Sequence, residues 1–82
     1  MYVYVLKSIK YNRYYIGLSG DVSRRFTEHN NGWVKKTRSY KPFKLIHVEI
    51  VQNRTEARFL EKYFKSGYGK DIIREIESES KT

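Results

Sequence analysis

Two side chains stand where a helix should carry apolar groups. Residues 21–30 read Asp-Val-Ser-Arg-Arg-Phe-Thr-Glu-His-Asn. Projected at about 100° per residue, Val22 and Phe26 mark an inward face, and Arg25 and His29 fall on that same face. Ser23, Arg24, Thr27 and Glu28 take the outside. Arg25 and His29 are an i, i+4 pair, so both reach one locus. There a guanidinium could grip an oxyanion and an imidazole could orient or carry a proton. The plainer alternative is that both lie at the edge of the stripe and reach solvent along their stems.

Glu61 raises the same question on a second helix. Asn53 followed by Glu56 reads as a capping box, which accounts for Glu56 without any function. Glu61 is mid-helix, beside the face drawn by Ala57, Leu60 and Phe64. Its ordinary partner is Lys65, in an i, i+4 pair worth about 0.3–0.5 kcal/mol. Its other use is as a metal ligand, since Mg²⁺ takes one or two carboxylates and keeps its waters. The N-terminal stretch is rich in phenols: Tyr2, Tyr4, Tyr11, Tyr14 and Tyr15. A phenol can donate to phosphate, or activate water where a cation stabilises the phenolate. It is also simply an apolar body that suits a strand.

The elements that must position these groups follow from pattern. Residues 2–8 are β-branched and aromatic and predict a strand; 9–13 turn; 14–18 predict a second strand, paired with the first as a hairpin. Residues 21–30 predict a helix with Ser19 or Asp21 as N-cap. Residues 31–42 form a polar, basic loop. Residues 44–51 predict a strand with Ile46, Val48 and Ile50 on one face. Residues 53–65 predict a helix, Gly67 and Gly69 punctuate, and 71–79 predict a third helix. The tail is expected to fray from about residue 78. The order ββαβαα gives an α+β class: a three-stranded antiparallel sheet flanked by helices, in one domain over residues 1–82.

Composition narrows the chemistry. At 82 residues the chain has room for one small core. It has no cysteine, which excludes disulfides and thiolate zinc sites, and two histidines, which exclude a histidine-rich cage. No apolar run approaches the roughly 18 residues of a membrane span, and the first residues read as a strand and not as a leader. A cytoplasmic location is therefore expected. The net charge is +8 and one-sided: residues 1–48 hold ten Lys/Arg against two Asp/Glu, while residues 49–82 hold seven of each. Such an asymmetry exceeds what solubility needs and suits a polyanion.

Tyr2-Val3-Tyr4, then Tyr15-Ile16-Gly17, then Arg25 and His29, resemble in their order the GIY-YIG nuclease superfamily. Thr37-Arg38 with Lys41-Pro42-Phe43-Lys44-Leu45, and Thr55-Glu56-Ala57 leading to Glu61-Lys62, are similar to its small single-domain members. The resemblance spans about residues 2–68 and extends to the N-terminal domain of the bacterial excision-repair incision subunit. It implies the three-stranded fold read above. It implies Tyr4 and Tyr15 as the motif tyrosines, Arg25 as the catalytic arginine, His29 as its polar neighbour and Glu61 as the metal-binding glutamate. Tyr2 replaces the glycine of the first motif, and Asn30 is not assigned to the asparagine that some members carry near the C-terminus. With no added targeting domain, sequence specificity is not expected.

The function so implied is a metal-dependent endonuclease acting on DNA, structured or damaged DNA included, with Mg²⁺ or Mn²⁺ as cofactor, no small-molecule cofactor and no membrane. Either Tyr4 or Tyr15 would take the water proton. Trp33, Lys35, Lys36, Arg38, Tyr40 and Lys41 would grip the nucleic acid, by charge and by stacking; the plainer alternative is a solvated basic turn. Two rivals stand beside this reading: a non-catalytic nucleic-acid-binding module on the same fold, and a small domain that binds an acidic protein. Oligomeric state is left open.

Overall fold

A computed structural model describes residues 1–80. Its elements run β1 (Tyr2–Ser8), β2 (Tyr14–Ser19), α1 (Val22–Asn30), a 3-10 turn (Arg38–Tyr40), β3 (Phe43–Ile50), α2 (Arg54–Lys65) and α3 (Gly67–Ser80). The sheet is antiparallel with order β2-β1-β3. The expected α+β architecture is the observed one. The first hairpin makes β1 the central strand, and Val3, Tyr4, Val5 and Leu6 on it are buried.

Alternation along β1 divides the interior in two. Val3 and Val5 join Ile16, Val51, Ala57, Phe64 and Ile73 beneath α2 and α3. Tyr4 and Leu6 join Phe43, with Tyr15, Val22, Phe26 and Tyr40 around them, beneath α1 and the following loop. The second cluster is smaller and more polar, and it contains the residues singled out above.

Asp21 and Asn53 are the N-caps, as the sequence suggests, while no bond from the Glu56 carboxylate completes a capping box among the described residues. Asp21 is the N-cap of α1, its carboxylate accepting from Arg24 N–H at 3.1 Å. Ser19, the other candidate, instead accepts from Asp21 N–H. Asn53 caps α2 through Glu56 N–H at 2.9 Å. At the other end of α1 the N–H groups of Gly32 and Trp33 bond back to the carbonyls of His29 and Glu28. This reversal sends the loop back across the helix.

Two expectations are corrected. Ile46, Val48 and Ile50 do not share a face, because the β1–β3 register shifts between Val5 and Leu6. Val5 pairs with His47 while Leu6 pairs with Leu45, so Ile46 is the extra residue of a bulge. Ile46 consequently packs under α2 and α3, and Val48 and Ile50 are exposed on an edge strand. The third helix also begins at Gly67, before the expected residue 71, and continues past 78 to Ser80, so residues 78–80 are helical. Residues 81 and 82 lie outside the described residues.

Gly67 and Gly69 thus sit inside the helix they were expected to delimit. Ser66 alone separates α2 from α3: its hydroxyl donates to Tyr63 O at 2.5 Å and accepts from Gly69 N–H at 3.2 Å, ending one helix and starting the next. A turn this tight drives the backbones together, and a Cβ on Gly69 would collide with the Tyr63 carbonyl and the Phe64 backbone. α3 is fixed to the sheet at its far end by Glu77, which accepts from Tyr14 Oη at 2.9 Å and pairs with Lys44 at 3.1 Å. Burial opposes the charged form of Glu77, but these partners outweigh it and hold the carboxyl below its usual range. Gly69→Ala should therefore lose about 1–3 kcal/mol through overpacking, where helix preference alone would add about 1 kcal/mol. The denaturant midpoint of the variant decides the sign.

Candidate active site

Gly17 explains how a large phenol fits into the smaller cluster. Tyr4 and Gly17 are cross-strand partners in the β1–β2 register. A Cβ at position 17 would collide with the end of the Tyr4 ring and would lie 2.8 Å from the Tyr15 ring. With hydrogen there, the Tyr4 phenol lies against the β2 backbone and is 1 % exposed. Tyr15, two residues earlier on the same face, is half-buried, its ring centroid 6.2 Å from that of Tyr4 and 4.7 Å from that of His29.

α1 completes the group from above. His29 is fully buried. Its Nε2 is 3.1 Å from Tyr4 Oη and its Nδ1 is 2.7 Å from Thr37 Oγ1. The Thr37 hydroxyl can direct its own proton to Val34 O at 3.5 Å, which leaves it an acceptor. The network then assigns the neutral ring: Nδ1–H donates to Thr37, and Nε2 accepts from the Tyr4 hydroxyl. Arg25 reaches the same phenol from one turn earlier and is held by Glu28 at 2.9 Å. Its side chain remains 36 % exposed, so the guanidinium is anchored and still open to an anion. Glu28, expected on the outside, is half-buried because Arg25 draws it in.

Protonation follows from this geometry. Burial, then the neighbouring Tyr15, pushes Tyr4 up to about 12, against the opposing pull of Arg25. Burial, then the positive charge of Arg25, lowers His29 to about 4. At neutral pH the buried part of the group is therefore uncharged: a protonated phenol, a neutral imidazole and a threonine in series. The exposed part is a phenol and a guanidinium.

The structure thus brings Tyr4, Tyr15, Arg25 and His29 together. Glu61 is not bonded to them. Its carboxylate pairs with Lys65 at 3.5 Å, and its side chain is 33 % exposed. Lys65 lines a depression that Tyr15 also lines, which places Glu61 one helical turn from that depression. No cluster of three or more His, Asp or Glu suited to a metal occurs among the described residues. Of the basic loop, Trp33, Lys35, Lys36, Arg38 and Lys41 are exposed. Tyr40 is the exception: its ring receives the Arg13 guanidinium at 5.0 Å and the edge of Tyr11 at 5.6 Å.

Three structural residues carry no mark in the sequence pattern that singles them out. Thr37 is buried and fixes the His29 tautomer. Asn30 clamps the start of β3, accepting from Phe43 N–H at 2.6 Å and donating to Phe43 O at 3.2 Å. Ser8 is fully buried, donating to Tyr40 O at 2.6 Å and accepting from Tyr11 N–H at 3.0 Å. Asn30 stands inside a recognisable helix end, but its partner is a loop away. Nothing periodic marks Thr37 or Ser8.

Comparison with known proteins bears on the family of the chain. The family model described as "GIY-YIG catalytic domain" matches residues 1–75. The chain is similar to UPF0213 protein lin0209 of Listeria innocua, with 44% identity over 98% of this chain and 92% of the relative. It is similar to UPF0213 protein lmo0166 of Listeria monocytogenes, with 45% identity over 95% of this chain and 92% of the relative. UPF0213 protein YazA of Bacillus subtilis is 37% identical over 78% of this chain and 65% of its own length. No solved structure gives a significant match.

The His29 value carries a signed prediction. A base whose folded pKa lies below its unfolded value of about 6.5 stabilises the fold above that pH. The contribution is lost as pH falls from about 6.5 towards 4, to a total of up to about 3 kcal/mol. An NMR titration of the His29 ring should show a midpoint near 4. A midpoint near its ordinary value would contradict the buried neutral ring.

Proposed function

The chain belongs to the GIY-YIG catalytic domain family, and on that footing we propose that it is a metal-dependent endonuclease that hydrolyses phosphodiester bonds in DNA. One observation carries the reading. An anchored, accessible arginine and a half-exposed tyrosine converge over a buried, neutral Tyr4–His29–Thr37 chain, on the basic side of the sequence. Packing alone gives no reason to put a histidine, a threonine and an arginine over a strand where aliphatic groups would fit.

The roles follow from exposure and protonation. Arg25 holds the non-bridging oxygens of the scissile phosphate with its planar fork. Glu28 sets the direction of that fork, and the salt bridge leaves part of it open. Tyr15 is the phenol that can reach a water beside the phosphate. Tyr4 is the poorer base, being buried, bonded to His29 and raised to about 12. Its part is to hold Tyr15 and Arg25 in place from beneath. His29 and Thr37 keep the Tyr4 proton directed away from the exposed pair.

Glu61 fits a metal of one kind. A carboxylate that belongs to no group of three or more ligating residues among the described residues suits Mg²⁺ or Mn²⁺ completed by waters and substrate phosphate, and it does not suit a protein-made cage. Such an ion, when bound, would polarise a phosphate oxygen and neutralise developing charge. Lys65 must leave Glu61 for this, and an exposed i, i+4 pair of that type costs only about 0.3–0.5 kcal/mol to break.

The test is incubation with supercoiled plasmid, branched, single-stranded and RNA substrates in Mg²⁺, Mn²⁺ or EDTA. Cutting of DNA should need the ion. Glu61→Ala should abolish it while leaving DNA binding intact. Glu56→Ala, which removes an exposed carboxylate from the first turn of α2 and leaves the Asn53 cap bond in place, should cost about 0.3–1 kcal/mol of stability and keep activity. Binding without cleavage in every condition would favour the binding-module reading.

A further inference from the structure

The near-zero charge of residues 49–82 conceals a local excess. Lys65 ends α2, and Lys70 and Arg74 lie one turn apart on α3. With Arg13 from the β1–β2 turn they line one depression of about 350 Å³, floored by Ile16 and Ile73. The acidic residues nearby do not cancel it. Glu77 faces the sheet and is occupied by Tyr14 and Lys44. Asp71 pairs with Arg74 at 3.2 Å, but both side chains are more than half exposed, and such a pair is worth about 0–1 kcal/mol. The Lys65–Glu61 pair is longer still, at 3.5 Å. Lys70 has no ion pair among the described residues.

The position of this depression matters as much as its charge. Arg13, Tyr14 and Tyr15 also line a second pocket, of about 190 Å³, whose remaining wall is Lys36, Thr37, Tyr40 and Phe43. That pocket lies on the α1 side of the sheet, and the first lies on the α3 side. Strand β2 is an edge strand, so no other strand stands between them. Tyr15 therefore sits on a ridge with a basic hollow on either flank. Arg13 belongs to both hollows, steadied by the Tyr40 ring.

We propose that the Arg13–Lys65–Lys70–Arg74 depression is a second phosphate-binding subsite. A nucleic-acid strand crosses the β2 edge with Tyr15 beneath it, one backbone phosphate in this depression and another beside Lys36. Four cations around a shallow, partly aliphatic floor suit a phosphodiester and its sugar, and the ion pairs already there are weak enough to yield to it. The subsite rests on the reading of the chain as a nucleic-acid enzyme, but it concerns binding and not cleavage.

The experiment measures binding of a short fluorescent DNA duplex in EDTA across a salt series. The wild-type protein is compared with the double variant Lys70→Gln/Arg74→Gln and with Arg24→Gln/Arg54→Gln, which removes equal charge from exposed residues outside the depression. The slope of log affinity against log salt should fall in magnitude by about one for each phosphate that is no longer neutralised, so by about one in the first variant, and should hold in the second. An unchanged slope in the first, or an equal fall in both, overturns the subsite. A protein that shows the selective fall yet never cuts DNA keeps the subsite and loses the nuclease reading. One that cuts normally with an unchanged slope loses the subsite alone.

Discussion

The close approach of the Tyr4 phenol to Gly17 organises this face of the molecule. Across a β pair, a phenol can lie on the neighbouring strand only where that strand lacks a side chain, and here the missing Cβ leaves the space. Once the ring is there, its hydroxyl is buried and must be satisfied. His29 does this from α1, and a buried histidine must in turn be satisfied at its other nitrogen, which brings in Thr37. One glycine on an edge strand thus sets the placement of a helix and of the loop after it. The chain closes without a deficit: no buried side-chain nitrogen or oxygen among the described residues lacks a partner.

That hydrogen-bonded series separates two kinds of polar group. Those inside are neutral and fixed, and low dielectric keeps them so. Those at the surface, Arg25 and Tyr15, rest on them and keep part of their capacity for a ligand. Pre-organised support beneath an exposed pair is what positioning a phosphate requires, since even a small displacement of the reacting groups is costly in rate. It also distinguishes two tyrosines that look alike in a motif. The buried one is raised to about 12 and committed to a histidine, while the other stands on the ridge between two basic hollows.

Much of this is legible in the sequence, unevenly. The strands, helices and caps follow from alternation, helical period and Asp21 and Asn53, because local rules govern them. Arg25 and His29 are visible as polar groups on an apolar stripe. Tyr4 and Tyr15 are not distinguishable from other tyrosines by pattern and come from the family resemblance. What stays hidden is long-range. The bulge at Ile46 arises from register with β1, which no run of β3 residues encodes. Thr37 and Ser8 look like ordinary loop and strand residues until their partners are brought to them. The basic depression joins Arg13 to Lys70 and Arg74, residues far apart in sequence, and summed charge cancels it. Gly69 reads as a break because a glycine needed for helix–helix approach looks the same in sequence as one that ends a helix.

The proposed mechanism divides the tyrosines, with the buried one as support and the half-exposed one as the reacting group. Single-turnover cleavage of a DNA substrate in saturating Mg²⁺, followed against pH for Tyr4→Phe and Tyr15→Phe, separates the two. Tyr15→Phe should remove cleavage at every pH, while Tyr4→Phe should slow the rate and leave the shape of the profile. Abolished cleavage in Tyr4→Phe, with Tyr15→Phe still cutting, would contradict it.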